Sequence, residues 1–144
     1  ALGRYVALLL ARHAAVLNDE PDGRMAIDGF LRSMADMLAD PALPGGCFII
    51  NGTADCGGST IPASVEMALR DALRGSENLV LHRLLRAEAD RQLPAGLSPQ
   101  ALATLFASLI AGLAVLAKSG APKATLMTVV DTAMAVWPKR AQST

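Results

Sequence analysis

The sequence predicts an all-α bundle of about six helices, and three observations predict it. Apolar residues recur at i, i+3, i+4, i+7 spacing through most of the chain. No two β-patterned runs stand where they can pair. One segment, Pro99 to Ser119, carries no charge between Ser98 and Ala117, so other helices must cover it. At 144 residues the chain is one domain, and a hydrophobic content of 52% supplies its core, an aliphatic one because aromatic residues make up only 3%.

The first helix is expected from Leu2 to Leu17, with Val6, Leu9, Leu10, His13, Val16 and Leu17 on one face, and Asn18 to Gly23 is a polar break. The second runs from Arg24 to Ala39, burying Ile27, Phe30, Leu31, Met34 and Leu38, and stops before the turn-rich Asp40 to Gly46. From Cys47 to Cys56, Phe48, Ile49 and Ile50 favour a strand by propensity. With no second strand to pair with, a short helix is the better assignment. The longest helix follows, Pro62 to Gln92, with Val65, Leu69, Leu73, Val80, Leu84 and Ala87 inside and Arg70, Arg74, Glu77, Arg83, Arg86 and Asp90 outside. A bend or break is expected at Gly75-Ser76, since Gly costs about 1 kcal/mol against Ala in a helix interior.

The charge-free helix has Ser98 as N-cap, Pro99 at its first position and Gly120 as its stop. Leu102, Leu105, Phe106, Leu109, Leu113 and Leu116 form a bulky face suited to the protein's own core. Ala103, Thr104, Ala107, Ala111 and Ala114 form a small-residue face suited to a second copy of the chain. A last helix runs from Pro122 to Trp137, with Leu126, Val130, Ala133, Met134 and Trp137 on its main face. A membrane span is not expected from the apolar segment. It is rich in Ala, Gly, Ser and Thr, no Trp or Tyr flanks it, and the other helices are amphipathic.

Composition narrows the function. Lys plus Arg and Asp plus Glu number 13 each, so the chain lacks the basic excess of a surface that neutralises phosphates. Two cysteines without a secretory signal fit a reducing cytoplasm. No nucleophile elbow, HExxH, GxxxxGK or CxxC occurs, so neither an enzyme nor a cofactor is expected. The chain opens on Ala1 already inside an apolar helical pattern, from which a preceding segment is expected.

Three pieces carry a resemblance to a known family: Leu43-Pro-Gly-Gly-Cys-Phe-Ile-Ile-Asn51, the stretch RAEADRQLPAGLS from Arg86 to Ser98, and the apolar helix with its Gly112-Leu113 and Lys118-Ser-Gly120 end. With these in this order, the sequence resembles the C-terminal ligand-binding and dimerisation domain of TetR-family (tetracycline repressor-like) transcriptional regulators. The resemblance covers essentially the whole chain. It implies a cytoplasmic regulator that is a homodimer, responds to a small hydrophobic effector, and reaches operator DNA only through an N-terminal helix-turn-helix domain. No residue of this sequence is assigned to DNA. The last two long helices would form a four-helix bundle with their mates, which places Ala103, Ala107, Ala111, Ala114, Leu126, Val130, Met134 and Trp137 at the dimer interface. The alternative is a free-standing helical small-molecule-binding or scaffolding dimer without DNA binding, and an upstream helix-turn-helix of roughly 45–60 residues would separate the two.

In similar regulators the effector lies among the helices that precede the dimer bundle, so inward positions that are polar or deformable are the candidates. His13, on an apolar helix face, is either a core histidine bonded to its neighbours or an effector contact. Phe30, Met34 and Met37 on the second helix, with Phe48 and Phe106, suit a wall that accepts varied apolar molecules, and they equally suit plain core filling. Asn51 either orients a ligand or satisfies the backbone near Gly52. Cys47, directly after Gly45-Gly46 at a helix start, is either a small buried residue or a redox-sensing thiol. His82 points away from its helix's stripe and is expected in solvent, and no metal-ligand spacing occurs.

Overall fold

The computed structural model describes residues 2–42 and 62–140, and within them it is wholly helical: α1 (Leu2–Asp19), α2 (Gly23–Ala39), α3 (Ala63–Ala89), α4 (Pro99–Lys118) and α5 (Lys123–Met134). The expected short helix around Cys47, with Phe48 and Asn51, lies outside the described residues, as does the side chain of Val6. α2 packs against each of the other four helices. Its whole expected stripe is buried, joined by Gly23, Ala26 and Ala35.

Local chemistry sets the helix ends. The Asp22 side chain accepts the Met25 N–H at 2.9 Å to start α2, and Ser98 accepts that of Ala101 at 3.2 Å to start α4. α4 stops at Gly120, whose φ of 96° lets the Ala121 N–H reach back to the Leu116 carbonyl. Arg91 closes α3 in the same left-handed way at φ 56°, a conformation that costs a non-glycine residue about 1–2 kcal/mol. Its carbonyl accepts from Arg140, while the next amide, that of Gln92, reaches the Ala87 carbonyl.

Gln92 then ties three helix ends together. Its Oε1 accepts the Gly23 N–H at 2.7 Å, its Nε2 donates to the Pro21 carbonyl, and its own carbonyl accepts Trp137 Nε1 at 3.2 Å. Arg24 donates to the carbonyls of Met134 and Trp137, supplying a cation where the α5 dipole ends. Gly23 makes this convergence possible: a Cβ there would stand 2.7 Å from Ala87 Cβ and 3.3 Å from the Trp137 ring.

Three expectations are corrected. Arg83, expected outside, is 1% exposed; its Nε donates to the Leu17 carbonyl at 2.7 Å, and its Nη2 donates to those of Glu20 and Pro21. These carbonyls at the end of α1 have no helical donor of their own, so a buried guanidinium satisfies them. Val16, expected inside, is 39% exposed. No break occurs at Gly75-Ser76: α3 runs unbroken past the place where Gly75 lets the tip of Leu10 approach within 3.3 Å of where a Cβ would stand.

α4 is turned differently from the expected orientation. Its buried residues are Pro99, Leu102, Ala103, Phe106, Ile110, Leu113 and Ala114, whereas Leu105, Val115 and Leu116 are exposed. At 100° per residue the buried arc is centred roughly 60° from the leucine stripe, toward the alanines. Ala103 and Ala114 therefore serve close packing within one protomer and not an interface. The same correction holds for Leu126, Val130, Met134 and Trp137, all at most 2% exposed in the protomer core. By length and composition α4 could cross a bilayer, yet it packs on α2, α3 and α5.

Two glycine substitutions are expected to part in sign. Gly23→Ala should destabilise by about 1–3 kcal/mol because its Cβ collides with Ala87. Gly75→Ala meets only the flexible tip of Leu10 and should hold or raise stability, by up to about 1 kcal/mol. Urea unfolding of the two variants beside the parent reads both.

Candidate functional site

Where α1, α2, α3 and α4 meet away from the Gln92 convergence, a cleft opens. Leu9, Leu10 and His13 of α1, Met34 of α2, Leu73, Ser76, Glu77 and Val80 of α3, and Ala107 and Ile110 of α4 line it. Seven of these ten side chains are apolar, and the three polar ones are His13, Ser76 and Glu77. The cleft holds about 30 Å³, room for no more than about two waters. A molecule of effector size needs the walls to part, and half of the lining is flexible Leu, Ile and Met side chains.

His13 is the hub. It is 8% exposed, its Nδ1 lies 3.5 Å from Ser76 Oγ, and its ring meets Phe30 edge-on with centroids 5.1 Å apart. Burial, with a smaller contribution from the Arg12 charge, lowers its pKa from 6.5 to about 4, so at neutral pH it is an uncharged imidazole able to donate at one nitrogen and accept at the other. The Thr104 hydroxyl, with one proton to give, stands 3.2 Å from both Glu77 Oε1 and the Gln100 carbonyl, so the carboxylate lies beside α4.

The structure brings together only part of the expected site. His13 and Met34 line the cleft. Phe30 stands behind His13, buried, and Phe106 is fully buried in the core, so neither lines it. Met37 lines a neighbouring open groove between α1 and α2, with Arg12, Val16, Arg32 and Asp36, that shares Leu9, His13 and Met34 with the cleft. Cys47, Phe48 and Asn51 lie outside the described residues. Ala107, expected at a dimer interface, lines the cleft, and Glu77, expected in solvent, is half-buried at it. Ser76 was legible in one respect: it follows a glycine in the middle of a helix, a mark of close approach. His82 is exposed as expected, and no group of three or more residues able to hold a metal occurs among the described residues.

The neutral His13 makes stability depend on pH. The unfolded chain takes up this proton below about pH 6.5 and the folded chain only near pH 4, so stability is lost as pH falls through that window. His13→Gln should remove this share of the loss. The gap in thermal midpoint between variant and parent is expected to move in the variant's favour from pH 7 to pH 4, and a constant gap would contradict it.

Comparison with known proteins places this architecture. Residues 23–133 match the family described as tetracyclin repressor-like, C-terminal domain. The chain is 24% identical over 139 residues to the HTH-type transcriptional repressor ComR of Escherichia coli (strain K12), a match over 96% of this chain that spans 65% of ComR. Among solved structures, a cysteine mutant of the TetR family transcriptional regulator CifR, complexed with 26 bp double-strand operator DNA, superposes with a TM-score of 0.81 at 27% identity, covering 95% of this chain and 70% of that one. A putative TetR transcriptional regulator from Rhodococcus sp. RHA1 superposes with a TM-score of 0.72 at 28% identity, covering 92% and 68%. The cleft among the first helices and the long apolar helix beyond it thus sit in a fold shared with transcriptional regulators, and the chain belongs to the tetracyclin repressor-like C-terminal domain family.

Proposed function

We propose that this chain is the effector-sensing and dimerisation domain of a ligand-responsive transcriptional regulator of the TetR type. In that reading a helix-turn-helix domain beyond the chain contacts operator DNA, and the protein works in the cytoplasm. The observation that carries the proposal is the likeness, over 95% of this chain, to a regulator solved on its operator. The neutral charge balance supports leaving DNA contact to another domain.

The cleft supports a small, largely hydrophobic effector that meets His13 and Met34. The geometry of α1 supports a way for its arrival to be felt elsewhere. Arg83 and Arg86 of α3 hold the carbonyls of Leu17, Asn18, Glu20 and Pro21, which fixes the C-terminal end of α1, whereas Leu9, Leu10 and His13 stand in the cleft wall. Parting the walls turns α1 about its fixed end. With a rise of 1.5 Å per residue, Leu10 lies about 10 Å and Leu2 about 22 Å from Leu17, so a shift of about 1 Å at Leu10 becomes about 2 Å at Leu2.

For dimerisation, the outward face of α4 replaces the residues first expected. Ala101, Leu105, Ser108, Gly112, Val115 and Leu116 are exposed, and the helix carries no charge before Lys118. Gly112 is the cleanest probe, because a Cβ there meets nothing within 4 Å in the protomer. Gly112→Arg should keep the helical protomer intact but yield a monomer mass by light scattering, since an unpaired charge buried in an interface costs several kcal/mol. An unchanged dimer mass would reject this face.

The DNA assignment is tested with the complete gene product. It should retard a duplex carrying an inverted repeat from its own upstream region, with affinity falling steeply as salt rises, while residues 1–144 alone should not. Retardation by residues 1–144 at moderate salt would overturn the division of labour.

A further inference from the structure

We infer that the cleft selects an apolar molecule bearing a hydrogen-bond donor, a hydroxyl or an amine, and discriminates against carboxylates and other anions. The inference rests on the reading of this cleft as the effector site and adds the chemical class of its occupant. Its basis is the set of three polar groups. The Glu77 carboxylate accepts only, and it lies beside the Thr104 hydroxyl at the cleft's α4 side. The other two, the uncharged His13 imidazole and the Ser76 hydroxyl, can each donate or accept, so they adapt to whichever hydrogen the occupant leaves free.

Among the described residues no Lys or Arg lines this cleft. Arg12 and Arg32 line the neighbouring groove between α1 and α2, which shares Leu9, His13 and Met34 with the cleft, and Arg32 there is paired with Asp28 and Asp131. An anion entering among Leu9, Leu10, Leu73, Val80 and Ile110 would lose its hydration, find no counter-charge among these ten lining residues, and meet the Glu77 carboxylate. A hydroxyl or ammonium there finds Glu77 in the lining as an acceptor, beside His13 and Ser76. Burial of the alkyl body supplies affinity without regard to the head, so the head decides selectivity.

The test is a titration of the protein with octan-1-ol, octylamine and octanoate, read by calorimetry, on the parent, Glu77→Gln and Ala107→Trp. The parent is expected to bind the alcohol and the amine, and octanoate at least about tenfold more weakly. Glu77→Gln, which keeps a carbonyl oxygen for Thr104, should bring octanoate to within about threefold of octan-1-ol and weaken octylamine. Ala107→Trp, which fills the cleft from α4, should abolish all three. If it fails to fold, methyl chemical shifts of Leu10 and Ile110 in the parent on adding octan-1-ol locate the binding instead. Octanoate binding as well as octan-1-ol, in a cleft that Ala107→Trp blocks, overturns the donor class and leaves the effector site standing. Binding that Ala107→Trp leaves untouched, with Leu10 and Ile110 shifts silent, overturns the effector site itself, as does binding of none of the three.

Discussion

One helix, α2, has to touch every other described helix, and the tightest point of that requirement is its first residue. Gly23 brings the α2 backbone against Ala87 of α3 and the ring of Trp137, at distances that admit no side chain. Because the helices converge there, their orphan carbonyls and amides lie within reach of a few side chains. Gln92 serves the start of α2, the α1–α2 link and Trp137; Arg24 serves the end of α5; Arg83 serves the end of α1. Buried backbone groups left unpaired cost about 1–3 kcal/mol each, so this polar net is a condition of the close approach and not an ornament on it.

The opposite region of the bundle is built on another plan. Around His13 the groups are apolar or only loosely bonded: one contact of 3.5 Å to Ser76, a ring edge against Phe30, and long aliphatic side chains. An imidazole whose pKa is pulled to about 4 gains less from its surroundings when charged than water would give it, so the fold holds it neutral with hydrogen-bonding capacity to spare. Rigid polar pinning at one end of α1 and an apolar, deformable wall along its middle are two properties of the same pair of helices. Their combination is what a displacement of α1 by an occupant requires.

Much of this was legible in the sequence, and the misreadings have a common cause. Helix existence and the caps at Ser98 and Gly120 follow from local chemistry, as does the buried stripe of α2, which is amphipathic enough to have one inward solution. α4 is apolar on nearly every side, so periodicity does not choose its inward face. Residue size was a poor guide, because Ala103 and Ala114 allow the close approach to α2 and α3 while Leu105 and Leu116 stay outside. Arg83 was placed in solvent by its charge, since its carbonyl partners, 62 to 66 positions earlier in the chain, are not visible in a local window. The cleft was half legible: His13 stood out as polar on an apolar face, but Ser76 and Glu77 become its partners only through the crossing at Gly75.

The outward face of α4 follows from the same reasoning in reverse. Solvent-facing helices are marked by charge, as α2 is by Asp28, Arg32 and Asp36, yet the exposed positions of α4 hold Leu105, Val115 and Leu116 among small uncharged residues. Water exposes such a face at a cost of about 25 cal/mol per Å². Bilayer and protein would both relieve that cost, but they ask for different surfaces. A lone span asks for charge-free surface all round, whereas the rest of α4 is packed on α2, α3 and α5, and the small residues Ser108 and Gly112, one turn apart on its outer side, permit the close approach of another helix. Read with the neighbouring helix α5, whose exposed Ala124, Thr128 and Thr132 are also small and uncharged, this surface supports helix-on-helix association, which is why the proposed dimer is built on α4's outer side and leaves the cleft on its inner side free.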